Sequence, residues 1–346
     1  MRIGVLDVGS NSAHLKVTDL RVGAPPAAVT TVKRPTRLAE AVDADGAVER
    51  KAMERLVVSV GEAVCAAAAH GVEELVAFAT SAVRDATNQQ EIVAEVAAAT
   101  GVRLGFLSGR DEARLTFLAA RAWYGWSGGR LLLADIGGGS LEVAHGDGQE
   151  PALALSLPLG AGRLTRAHLP GDPPSRKHIR RLRRRVYERL SETSAQVLAE
   201  LEGGPPVRPV ATSKTFTQLA RLTGAPKRDA GPYTRRVLEL ERLREQIPVL
   251  AAKRATARAK LRGVSRPRAS QILAGAIVAE ALMTTLEVDR VDICPWAIRE
   301  GLIIRRLQAM SDPVAADDET ARLTQAVPAV ASRGRSSLRP VPTLTA

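Results

Sequence analysis

The feature that most limits what this 346-residue chain can fold into is a duplicated unit. Each copy is an apolar run, a tight turn led by aspartate, and a second strand-like run. The first copy is Ile3-Gly4-Val5-Leu6, then Asp7-Val8-Gly9-Ser10-Asn11-Ser12, then residues 13–18. The second is Leu131-Leu132-Leu133-Ala134, then Asp135-Ile136-Gly137-Gly138-Gly139-Ser140, then residues 141–144. Glycine lets successive N–H groups turn into one concavity, and serine hydroxyls add donors, so such turns hold phosphate oxygens. Gly9, Ser10, Asn11 and Ser12 are therefore candidate phosphate ligands in the first turn, and Gly137, Gly138, Gly139 and Ser140 in the second. Asp7 and Asp135 suit a divalent cation lying among the phosphates. Two such devices one domain length apart predict two half-sites facing each other across a cleft.

A chain of this length divides into two domains more readily than it forms one. Repeated strand–turn–strand units followed by helices predict two similar α/β domains. Helical periodicity runs over 49–70, with Met53, Leu56, Val57, Val60 and Val64 on one face. A strand is expected at 75–79, helices opening at Thr80-Ser81 and spanning 91–100 and 109–122, and a short strand at 102–104. The turn-rich stretch 125–130 sets the expected boundary, with domain I over 1–127 and domain II over 128–296. Beyond it come two strongly basic helical stretches, 176–189 and 253–262, an apolar helix over 269–286 and a strand over 291–294. A helix at 297–309 completes domain I. From 310 to 346 the chain is rich in Ala, Pro, Ser and Thr without lasting periodicity, which predicts a disordered tail.

The net charge of +12 calls for a polyanionic partner. Aromatic residues make up only 3% of the chain, too few for a base-stacking platform, so nucleic acid is not the expected partner. Two distant cysteines, Cys65 and Cys294, without metal-ligand spacing predict buried thiols in a reducing compartment. A strand starting at the second residue leaves no room for a leader, and no apolar run approaches the roughly 18 residues of a membrane span. A cytoplasmic protein without membrane contact is expected. There is no glycine-rich loop ending in Lys-Ser/Thr and no spaced dinucleotide-binding glycine pattern.

The two turns resemble the phosphate motifs of the exopolyphosphatase / guanosine pentaphosphate phosphatase family, a branch of the actin-like ATPase superfamily. Further segments are similar to that family. Residues Ala79-Thr80-Ser81-Ala82-Val83-Arg84-Asp85-Ala86 resemble its arginine-bearing helix start. Ser108-Gly109-Arg110-Asp111-Glu112-Ala113 resembles the segment with its catalytic glutamate, Ala211-Thr212-Ser213-Lys214-Thr215 its third loop, and Arg299-Glu300-Gly301-Leu302 its closing helix. The likeness covers residues 1 to about 310. Departures are Ser213-Lys214 where many relatives have glycine, and Ser270 where an acidic residue often stands.

The resemblance implies two actin-like (RNase H-like) α/β domains with mixed sheets flanking the cleft, and hydrolysis of a terminal phosphoanhydride. Glu112 would be the general base and Arg84 the residue that meets phosphate charge, with Lys214 as a further phosphate ligand. Three carboxylates near a polyanion, Asp7, Asp135 and Glu142, repel it unless a cation intervenes, so Mg²⁺ or another divalent ion is the expected cofactor. The implied substrate is inorganic polyphosphate, short chains included because the helical C-terminal domains of longer relatives are missing, or else guanosine pentaphosphate. A homodimer is the implied assembly. The dense Arg176–Arg185 run is a candidate polyphosphate track. Rival readings are a kinase or ATPase on the same scaffold, and a binder of alarmones or polyanions without catalysis. The five histidines are expected to be structural.

Overall fold

The computed structural model describes residues 1–38, 41–43, 45–312 and 318–328. The strand–turn–strand units form as the sequence pattern predicts, and each nucleates a mixed sheet. In the first, β1 (Arg2–Val8), β2 (Ser12–Asp19) and β3 (Ala27–Pro35) run as an antiparallel meander. β4 (Glu74–Ala79) returns parallel to β1, with β5 (Gly105–Phe106) beside it. The second sheet repeats this plan. β6 (Arg130–Ile136), β7 (Leu141–Gly146) and β8 (Leu153–Leu157) form the meander, and β9 (Val207–Thr212) returns parallel to β6. β10 (Val237–Glu239) and β11 (Arg290–Ile293) extend its far edge. Ile3, Val5, Leu6 and Val8 are all fully buried. A central strand covered on both faces gives this continuous apolar run rather than an alternating one.

Helices α1 (Arg50–Ala69), α2 (Ser81–Arg84) and α3 (Gln89–Thr100) belong to the first sheet. α4 (Gly109–Tyr124) follows, then α5 (Ala161–His168), α6 (Arg176–Leu201), α7 (Ser213–Leu222), α8 (Leu240–Ala251), α9 (Ala255–Arg258) and α10 (Ile272–Thr285) around the second. α11 (Ile298–Ser311) and α12 (Asp318–Leu323) close the chain with β12 (Thr324–Ala326).

Helix α4 sets the geometry of the site because it lies between the sheets. Leu115 joins Ile3, Val5, Val76, Phe78, Leu302 and Ile303 against the first sheet and α11. Phe117 and Ala120, on another side of the helix, join Leu131, Leu133, Ala144 and Val210 against the second. A helix buried on opposite sides cannot shift without disturbing both sheets.

Several expectations need correction. β3, β8 and α5 stand outside the sequence expectations; β3 and α5 carry little apolar signal, whereas the alternating Leu153, Leu155 and Leu157 of β8 are a legible strand pattern. The strand expected at 102–104 forms instead at 105–106, because Val102 and Leu104 pack into the core rather than pair. Only 255–258 of the second basic stretch are α-helical. Arg258 there is 2% exposed, and its Nε donates to the Leu250 carbonyl at 2.7 Å. The tail reading fails for 318–326, where α12 leads into β12 on the outer edge of β4. Leu323 packs over Gly105, where a Cβ would lie 2.2 Å from its Cδ2. Residues 313–317 and 329–346 of the expected tail lie outside the described residues. Cys294 is buried, but Cys65 is exposed on α1.

The first basic stretch is helical, as α6. Its inner face is fixed by Glu280, which sits 2% exposed within apolar α10 and accepts from Arg183 at 2.9 Å and Tyr187 at 3.1 Å. Arg176, Lys177, Arg180, Arg181, Arg184 and Arg185 face solvent.

Candidate active site

The two turns are congruent. Gly9 N–H donates to Ser12 O at 3.0 Å, and Gly137 N–H to Ser140 O at 2.9 Å. They also abut. A Cβ on Gly138 would lie 2.7 Å from Ser10 Oγ, and one on Gly139 would lie 2.1 Å from Ser81 Oγ, so no side chain fits at either place. The start of α5 backs the second turn, with Ala161 N–H donating to Gly137 O (3.0 Å) and Arg163 N–H to Gly138 O (2.9 Å). Because N–H and C=O of a peptide point in opposite directions, this turns the N–H groups of Gly138 and Gly139 away from α5.

Glu112 stands in the first turn of α4. The helix is capped by Ser108, whose Oγ accepts from Asp111 N–H at 3.1 Å and bonds the Asp111 carboxylate, so the two neighbouring acids are held differently. Glu112 is 7% exposed and accepts from Arg84, which also donates to Leu107 O at 2.8 Å and Asp85 Oδ1 at 3.2 Å. Arg163 completes the line by donating to the other Asp85 oxygen and, through Nε, to Gly139 O at 2.8 Å. Thus a chain of charged hydrogen bonds joins Glu112 to the second turn by way of Arg84, Asp85 and Arg163.

The carboxyls are electrostatically crowded. Burial pushes Glu112 up to about 7 despite the opposing Arg84 guanidinium, with Asp7 and Asp135 adding to the rise. Burial raises Asp135 to about 6, against the pull of Arg268. Glu142 is pushed well above the usual carboxylate range by burial, then by Glu112 and Asp135. Strand register explains its place: Glu142 is directly opposite Asp135, as His14 is opposite Asp7. Glu142 Oε1 accepts from Ser156 at 2.9 Å.

Positive groups line the other side. Arg299 donates to Asp7 Oδ2 at 3.2 Å and meets His14 Nδ1. Burial and Arg299 hold His14 neutral, at about 3. Lys33 and Lys214 are open to solvent yet enclosed by protein, as on a cleft wall. Both are lowered, first by desolvation and then by neighbouring cations, which include Arg268 and Arg299 for each. Among the described residues neither lysine makes an ion pair, so the wall carries uncompensated charge. Ser213 holds a left-handed φ of 83° beside Lys214, a backbone that glycine adopts freely.

The structure thus gathers Asp7, Asp135, Glu112, Glu142, Arg84, Lys214 and both turns around one cleft. It does not assemble the three-carboxylate set expected of Asp7, Asp135 and Glu142. Among the described residues no three carboxylate, histidine or cysteine groups lie close enough to hold a metal ion. Sequence reasoning missed Lys33, Arg163 and the ion-pair role of Arg299. Lys33 and Arg163 lie on elements that were themselves missed, whereas Arg299 was legible only as part of the closing helix.

A duplicated mixed sheet with a glycine–serine turn at the end of each first strand defines an actin-like α/β protein. The chain belongs to the Ppx/GppA phosphatase family, whose model matches residues 17–310. It is 50% identical to Exopolyphosphatase 1 of Mycobacterium leprae over 94% of this chain and 95% of that one. Identity to Exopolyphosphatase 1 of Mycobacterium tuberculosis is 52%, covering 91% of each. The crystal structure of the Aquifex aeolicus Ppx/GppA family member superposes with a TM-score of 0.72 at 25% identity, covering 90% of this chain and 98% of that one. No helix among the described residues is long and apolar enough to cross a membrane.

Proposed function

We propose that the protein removes the terminal phosphate of inorganic polyphosphate by water attack, with Glu112 as general base. The observation that carries this is a buried carboxylate, poised near neutrality, beside two abutting phosphate turns. A base is most effective when its pKa lies near the working pH, and about 7 meets that condition. Water oxygen attacks the terminal phosphorus and its proton passes to Glu112. The P–O bond to the bridging oxygen breaks, leaving orthophosphate and a shortened chain ending in an oxyanion.

Gly9, Ser10, Asn11 and Ser12 on one side and Gly137, Gly138, Gly139 and Ser140 on the other hold the terminal phosphate through fixed donors. Donors in place before reaction need no reorganisation as charge develops. Arg84 acts as a positioning residue, tying Glu112 to Asp85. Lys33, Lys214 and Arg268 receive the following phosphates.

A divalent cation, Mg²⁺ in our reading, fits Asp7 and Asp135. Asp7 Oδ1 is buried without a partner, and such ions take one or two carboxylates and complete their shell with phosphate oxygens. When bound, it offsets phosphate charge and favours the leaving oxygen. Glu142, raised by burial and then by its neighbour Glu112, serves the base more than the ion.

The test is phosphate release with Mg²⁺ from polyphosphates of several lengths and from guanosine pentaphosphate. We expect release from polyphosphate, at a higher kcat/KM than from the nucleotide, and loss of it in Glu112→Gln. No release from any substrate overturns the hydrolase reading. Preference for guanosine pentaphosphate overturns the substrate.

A further inference from the structure

Four of the six tryptophans and tyrosines in this aromatic-poor chain collect at one place outside the cleft. Tyr233 stacks on Trp123 with ring centroids 5.4 Å apart and planes 13° from parallel, although Tyr233 is 87% exposed. Trp296 packs on Trp123 at 5.3 Å, and the Arg208 guanidinium lies 5.3 Å over the Tyr124 ring. Trp123, Tyr124, Tyr233 and Arg208 line a concavity of about 660 Å³ between the end of α4, the start of β9 and β11, with Trp296 behind Trp123. That volume is in the range of small-molecule sites, roughly 300–1,000 Å³.

The site is built rather than incidental. Arg236, 9% exposed, donates to the carbonyls of Pro226, Lys227, Gly231 and Thr234, which pins the loop that presents Tyr233. Asp292, the acid in the lining, is neutralised by Arg235 at 2.8 Å. Arg208 and Arg290 are exposed and, among the described residues, make no ion pair. An unstacked aromatic face beside unneutralised guanidinium groups matches a planar ring that carries negative charge.

We propose that this concavity binds a nucleotide, its base on the free face of Tyr233 and its phosphates on Arg208 and Arg290. A second copy of this chain is a poorer occupant, because the chain carries +12 and would bring like charge to an arginine-lined hollow. The site is distinct from the cleft. Tyr124 is twelve residues beyond Glu112 on α4, about 18 Å along the axis at 1.5 Å per residue. The proposal does not rest on the hydrolase reading.

Two of the three tryptophans line or back this site, and exposed Trp126 follows Tyr124 by two residues, so intrinsic tryptophan fluorescence reports on it. Full-length protein titrated with ADP, corrected for absorbance, should show saturable quenching. We expect Tyr233→Ala to weaken ADP binding at least tenfold, with a comparable loss in the Arg208→Ala/Arg290→Ala pair. Ribose 5-phosphate, which lacks the base, should bind at least tenfold more weakly than ADP. Phosphate release from polyphosphate without ADP should be unchanged in Tyr233→Ala. Unaltered ADP affinity in Tyr233→Ala overturns the site, and equal affinity for ribose 5-phosphate overturns the base. Wild type that binds no ADP, but whose dimer dissociates on Tyr233→Ala, assigns the surface to contact between copies and also overturns the proposal.

Discussion

Glu112 shows how position decides the chemistry of a residue. A glutamate in the first turn of a helix is ordinarily a solvated partner for the helix dipole. Here α4 is wedged between two sheets, and the same residue becomes a buried carboxyl with Arg84 as its ion-pair partner. The likeness of residues 108–113 to the family's segment singled out Glu112, but the sequence could not show the raised pKa, which comes first from burial and then from Asp7 and Asp135, far away in sequence. A base must be deprotonated to act, so the rate on polyphosphate should fall as pH drops through about 7. Glu112→Gln should remove about 10²–10⁴-fold in kcat, the range for a lost general base, and abolish that limb of the profile. A pH–rate profile of both proteins checks this.

Among the elements, the strand–turn–strand units were the most legible because their information is local: an apolar run, then glycine, then serine. β3 was hard to read because it is an edge strand of mostly polar and small residues, while β8, with leucine at every second place, was legible but short. β3 has no fully buried residue, and all five of β8 are half-buried. α5 is only eight residues long, yet it backs the second turn and supplies Arg163. Packing between elements also leaves a trace in glycine. At Gly301 on α11 an added Cβ would lie 2.0 Å from the Leu115 carbonyl oxygen of α4, so the two helices cross at backbone contact. Gly301→Ala should force them apart and cost about 1–3 kcal/mol, as overpacking does. Calorimetric or denaturant unfolding would show the loss, and because α4 carries Glu112, kcat should fall as well.

At the scale of the whole molecule, duplication accounts for the site. Two sheets of one plan place two glycine–serine turns at equivalent strand ends, and packing brings Ser10 and Gly138 together. The sequence foretold both turns and their apposition. It could not foretell which charges line the cleft, because Lys33, Arg163, Arg268 and Arg299 come from four separate elements or loops. Nor could composition locate the excess positive charge. Part of it is structural, as with Arg258, part faces solvent on α6, and part lies on the cleft wall with Lys33 and Lys214. In the proposed mechanism the terminal phosphate is held between the turns and Glu112 delivers water to it. Hydrolysis of polyphosphate in ¹⁸O-labelled water, followed by mass analysis of both products, tests it directly. One ¹⁸O is expected in each released orthophosphate and none in the shortened chain; label in the new chain end would mean that water attacks the penultimate phosphorus instead.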